Sequence, residues 1–154
     1  MMNKDERDLL DIVLAKKIKV NRNRTPQEAI TAVKCLGYYL EKKVVNSVPR
    51  GEGEEVEICF FPIKGSVSVA EVQEMLDVRG LKPDPYALAA FNEDDPSISG
   101  FHPTATQWLD NNGNHCYLSF SGNRDVFCGY SEDNWDGGDW ENELLMSGVR
   151  KPKS

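Results

Sequence analysis

Two turn signals lie close together in the second half of the chain, and they constrain the fold more than anything else in it. Asn112-Gly113 is the dipeptide of a type I′ hairpin turn, and Gly122-Asn123 fits a type II′ turn. Residues 105–110, 115–120 and 125–130 are therefore expected as three strands of an antiparallel meander. A last strand is expected near Leu144 to Arg150.

If both turns have two residues, the register follows. One face then carries the rows Leu109/Cys116/Gly129, Gln107/Leu118/Phe127 and Ala105/Phe120/Asp125. That face is apolar and is expected against helices. The other carries Asp110/His115/Tyr130, Trp108/Tyr117/Cys128 and Thr106/Ser119/Val126. A one-residue slip in either turn exchanges the faces of that strand.

Helix signals precede the meander. Asn3 with Glu6 makes a box-like cap before Leu9, Leu10, Ile12 and Val13, and Lys16, Lys17 and Lys19 suit the C-terminal end of a helix dipole. Thr25-Pro26-Gln27-Glu28 is a capping box with proline at the first helical position. Tyr38 to Val48 reads equally as strand or helix. Val56 to Phe61 reads as a strand. Ser68 with Glu71 caps a helix from Val69 to Arg79, and Asp84-Pro85 starts another. The expected fold is α+β. An N-terminal helical segment (1–48) and a linker (49–55) precede an α+β domain (56–151). That domain runs strand, helix, helix and a three- or four-stranded antiparallel meander.

Composition narrows the class. The 154 residues are 40% hydrophobic and 28% charged, enough apolar material for a core. No apolar run approaches the ~20 residues that span a bilayer. The start is charged and lacks a signal-peptide core, so a cytoplasmic protein is expected, without membrane contact. Net charge is −7 and unevenly spread: residues 1–50 carry 11 Lys/Arg against 6 Asp/Glu, and residues 51–149 carry 4 against 19. The acidic part repels phosphate backbones. It suits solubility, a basic partner or mimicry of a nucleic acid. Five cations between Lys16 and Arg24 are a place where phosphates could be touched.

Three constellations bear on chemistry. Asp110, His115 and Cys128 fall on one face in the derived register, the elements of a thiolate nucleophile with its base and orienter. No oxyanion-binding turn accompanies them, so a Cys/His hydrolase is an alternative and not the main reading. Asp133, Asp136 and Asp139 lie in a glycine-rich loop with oxygen ligands, without EF-hand spacing. Cys35, Cys59, Cys116 and Cys128 have no zinc spacing and are expected as free thiols. No cofactor is implied. The strongest surface signal is aromatic. Trp108, Tyr117, His115 and Tyr130 are expected to form a binding surface, extended by Trp135 and Trp140. The competing reading makes the same face a second core layer under the N-terminal helices.

The run from Glu71 to Pro96, with His102-Pro103, Thr106-Gln107-Trp108, Asn112-Gly113-Asn114 and Gly148-Val149-Arg150-Lys151, resembles small uncharacterised proteins of phages and other mobile or bacterial elements. The resemblance covers roughly residues 50–151. It implies no activity and no site residues, only a viral or mobile-element context. The function expected from all this is a non-enzymatic accessory protein that binds a host macromolecule; the expected partner is a host or viral protein. An acidic nucleic-acid mimic and a weak nucleic-acid binder through residues 16–24 are the alternatives.

Overall fold

Leu14, Lys16, Ile18 and Val20 alternate with exposed Ala15, Lys17 and Lys19, and alternation is the period of a strand. In the computed structural model, which describes residues 12–122, 124–131, 134–136 and 143–150, this stretch is β1 (Leu14–Lys19). The other elements, in chain order, begin with α1 (Pro26–Thr31), β2 (Gly37–Leu40), α2 (Lys42–Val45), β3 (Glu55–Pro62) and β4 (Ser66–Ser68). They continue with α3 (Val69–Val78), β5 (Leu81–Lys82), α4 (Pro85–Asp94), α5 (Ser97–Phe101), β6 (Thr104–Leu109) and β7 (His115–Phe120). β8 (Asp125–Tyr130), β9 (Asn134–Asp136) and β10 (Leu145–Arg150) complete the chain.

The expected α+β arrangement is corrected here. The architecture is mixed α/β, built on one eight-stranded sheet in the order β1-β3-β10-β6-β7-β8-β2, with β5 paired to β10. The expected N-terminal helical segment contributes two of these strands. β1 lies antiparallel to β3, with Leu14 opposite Phe60, and β2 lies parallel to β8. The cap at Asn3 and Glu6 and the apolar Leu9 and Leu10 lie outside the described residues. From Leu14 on, β3 supplies a long-range partner that a helical reading of local spacing does not see. The ambiguous Tyr38–Val48 stretch divides into β2 and the single turn of α2.

β10 is an interior strand. It runs antiparallel to β3 and parallel to β6, so Leu145 to Val149 are all buried, as in a strand covered on both faces. The three-stranded meander β6-β7-β8 is present, but both its turns are one residue longer than expected. Leu109 pairs with His115, and Asp110 donates to the Asn114 carbonyl, around a three-residue loop in which Gly113 takes a left-handed φ of 81°. Phe120 pairs with Val126, and the next loop ends on Arg124 at φ 60°.

These two slips re-partner the faces. One face carries Thr106 and Trp108, then Cys116, Leu118 and Phe120, then Val126 and Cys128. It packs with Ile58 and Phe60 against α1, α2 and α4, through Ile30, Val44, Leu88 and Phe91. The second face is covered differently. α3 buries Val72 and Leu76 on Cys59, Phe61, Ala105 and Met146, and the two-stranded ribbon β4/β9 adds Val67 and Trp135. That cover lies over β3, β10 and β6. The ribbon's Trp135 reaches Tyr117 on β7, and among the described residues no element covers this face of β8 and β2.

Charge follows the same topology. Lys17 stands opposite Glu57 and Lys19 opposite Glu55, so the basic first strand lies on the acidic third. No helix among the described residues is long and apolar enough to cross a membrane.

Candidate binding surface

The half of the second face that no helix among the described residues covers is built from two rows of residues. Gln107, Tyr117 and Gly129 stand side by side across β6, β7 and β8. Ala105, Ser119, Phe127 and Tyr39 form the next row, reaching the sheet edge at β2. In that row the rings of Tyr39 and Phe127 stack, with centroids 4.9 Å apart and planes 10° apart. Tyr39 remains 59% exposed.

The Tyr117 row meets the ribbon. Gly129 leaves space beside Tyr117, because a Cβ there would lie 3.5 Å from the ring. The ring stands edge-on to Trp135, with centroids 5.5 Å apart. Trp135 Nε1 donates to Gln107 Oε1 at 2.8 Å, while Gln107 Nε2 donates to the Val69 carbonyl at 2.9 Å. One fully buried amide thus joins β6, the start of α3 and β9. Tyr117, Tyr130, Ser131, Asn134 and Trp135 line a cleft of about 260 Å³. Tyr130 is exposed at its rim, and the Ser131 hydroxyl is buried with no hydrogen-bond partner among the described residues.

The expected binding residues therefore separate. Tyr117, Tyr130 and Trp135 come together at the cleft. His115 is half-buried on the second face, opposite Leu109 at the hairpin end. Trp108 leaves the group. It is 3% exposed in the core on the first face, and its Nε1 donates to Ser47 Oγ at 3.3 Å. Trp140 lies outside the described residues. Tyr39 and Phe127 were not singled out by sequence. Their signal was the Gly37-Tyr38-Tyr39-Leu40 run, legible only once β2 is known to end the sheet.

The expected catalytic group does not assemble. Cys128 pairs with Leu118 on the first face, whereas His115 lies on the second. Burial pushes the Cys128 thiol up to about 12, with Cys116 beside it adding to the shift, so a thiolate is nearly absent at neutral pH. Cys116 and Cys128 share a face, against the expected register, and all four cysteines are free. Asp110 serves its own turn. Its carboxylate accepts from the Asn114 and Asn112 backbone amides, which holds its pKa below the usual carboxylate range. Among the described residues no three His, Cys, Asp or Glu side chains gather to hold a metal. Asp136 lies in β9 opposite Ser66, and Asp133 and Asp139 lie outside the described residues.

The basic segment is largely committed within the fold. Arg22 spends all five N–H donors: Nε on the Gly53 carbonyl, Nη1 on the Arg50 carbonyl and Asp84 Oδ1, Nη2 on the Glu52 carbonyl and Asp84 Oδ2. The Asp84 contacts are 2.7 and 2.8 Å. Asp84 also caps α4 by accepting from the Ala87 amide. Arg24 pairs with Glu93 and Lys16 with Asp94. Only Lys17 and Lys19 remain strongly exposed cations here, and each faces a glutamate across the strands.

Comparison with known proteins adds no relative: no family model matches the chain, and no curated protein or solved structure matches it.

Proposed function

We propose that the protein is a non-enzymatic accessory protein of a phage or mobile element, acting in the cytoplasm by binding a partner protein. The half of the second face that no helix among the described residues covers is its binding surface. One observation carries the reading. Helix α3 and the β4/β9 ribbon close the second face over β3, β10 and β6 up to Tyr117 and, among the described residues, leave Phe127 and Tyr39 without a covering element. A sheet face that bears clustered aromatics, with no covering element among the described residues, is the kind of surface that partners bury. Aromatic rings supply large contact area at low entropy cost and keep a polar handle. The buried thiols and the dispersed Asp110, His115 and Cys128 support a binding role over a hydrolytic one. The cations paired within the fold weigh against nucleic-acid binding through residues 16–24.

The test is quantitative capture from host lysate by wild type and by the double variant Tyr39→Ser/Phe127→Ser, with a thermal melt of each. The variant is expected to fold and to lose about 2 kcal/mol or more of partner affinity. Unchanged capture by a folded variant would overturn the proposal.

A further inference from the structure

The sheet ends on β2, a short edge strand with cations at both ends that still carries exposed apolar surface. Its outer side has no strand partner among the described residues. Gly37 donates inward to the Arg124 carbonyl and Glu41 to the Cys128 carbonyl. Alternation along the strand then turns the Tyr38 and Leu40 amides outward. Exposed edges are usually blunted by charge, proline or shortness. β2 is short, yet it carries exposed apolar surface: Leu36 is 76% exposed, Tyr39 59% and Tyr38 41%.

Charge at this edge runs opposite to the molecule. The chain totals −7, but Lys34 and Arg124 flank the start of β2, and Lys42 and Lys43 follow its end. All four are exposed, and none forms an ion pair among the described residues. The carboxylates close to them in the chain are Glu41 and Asp125, and the Asp125 carboxylate lies against Gly37. A four-residue strand spans about 13 Å, so cations bracket it at both ends within the reach of one short extended segment.

We propose that β2 receives an extended, acidic segment of a partner protein by strand addition, with carboxylates at the lysine- and arginine-bearing ends and apolar side chains beside Tyr38 and Tyr39. Backbone pairing supplies the template, and the flanking charges set the choice of partner. A second copy of this chain fits poorly, because edge-to-edge pairing would bring two sets of these four cations together. The inference rests on the proposal that this end of the sheet binds a protein, and names the chemistry of what it binds.

Selection of a random library of peptides about twelve residues long against the full-length protein tests it. Enriched peptides are expected to alternate apolar residues between acidic flanks. Binding of the best peptide should fall at least about tenfold with Lys34→Glu/Lys42→Glu/Lys43→Glu and with Tyr38→Pro, which removes an outward amide together with the ring, and clearly less with Tyr38→Ala, which removes the ring alone. Should Tyr38→Pro fail to fold, methylating alternate amides of the peptide must produce the same loss on the wild-type protein. Val13→Ser should change binding less than about twofold, since this exposed residue lies beside β1, at the opposite end of the sheet from β2. No enrichment, enrichment of basic or uncharged peptides, or binding indifferent to these changes would overturn the inference. So would an oligothymidylate that binds and loses affinity with Tyr39→Ser, or a dimer in sedimentation that Tyr38→Pro dissolves. If lysate capture depends on Phe127 while no acidic peptide binds, this inference fails and the broader reading stands. If acidic peptides bind β2 while capture ignores Tyr39 and Phe127, the broader reading fails instead.

Discussion

Trp108 shows how a single residue decides between a core and an interface. Its ring packs in the main core beneath α2, with its N–H on Ser47. Truncation to Trp108→Ala is expected to cost roughly 3–5 kcal/mol and to lower the melting temperature sharply. A thermal melt checks it; a shift of only a degree or two would return Trp108 to the surface. Arg22 makes the parallel case for charge. With all five donors used and Asp84 3% exposed, Arg22→Ala leaves a buried carboxylate unpaired and is expected to destabilise by about 3–5 kcal/mol. Lys17→Gln and Lys19→Gln should each stay within about 0.5 kcal/mol. Denaturant melts of the three variants compare them directly, and equal effects would contradict the clamp.

At the level of elements, the ribbon β4/β9 is held by Gln107, which accepts from Trp135 and donates to Val69. Gln107→Ala should therefore cost about 1–3 kcal/mol, because both partners lose a hydrogen bond in a buried setting. A denaturant melt followed by tryptophan emission should show the loss together with a change around Trp135; an unchanged midpoint would remove the amide from that role. Local signals of this kind were legible in the sequence where their chemistry is local. The capping boxes at Thr25/Glu28 and Ser68/Glu71 both form, with both reciprocal hydrogen bonds. The helix start at Asp84-Pro85 and the meander are also present. The alternation of Cys116, Leu118 and Phe120 toward a core was legible too. Their partners were not, because Asn112-Gly113 and Gly122 serve three-residue loops as readily as two-residue ones. One residue in each loop moves Trp108 and Cys128 inward and Gln107 and Phe127 to the second face. Asp110, with its carboxylate on two amides of its own loop, is the residue that stabilises the longer turn.

Over the whole molecule, long-range pairing decides what local spacing leaves open. β1 borders β3, whose residues Ile58 to Phe61 are fully buried, and β2 comes back from the first third of the chain to close the opposite side of the sheet. The charge asymmetry of the sequence becomes cross-strand register, with Lys17 opposite Glu57 and Lys19 opposite Glu55. A fragment beginning at residue 49 would expose the edge of β3 and part of the core that Ile18, Val20 and Ile30 cover. It is expected to aggregate or remain unfolded by circular dichroism and gel filtration; a monomeric, cooperatively melting fragment would contradict the single shared sheet. Among the described residues the same topology leaves Phe127 and Tyr39 on β8 and β2 without a covering element, and the proposal that this end of the sheet binds a partner is the central claim. Hydroxyl-radical footprinting of the protein alone and in its captured complex tests that claim most directly. Oxidation is expected to fall on binding at Tyr39, Phe127 and Tyr117, and to stay unchanged at exposed Phe101 and Val13. Protection confined to the helical face or to residues 16–24, with Tyr39 and Phe127 as reactive as in the free protein, would contradict it.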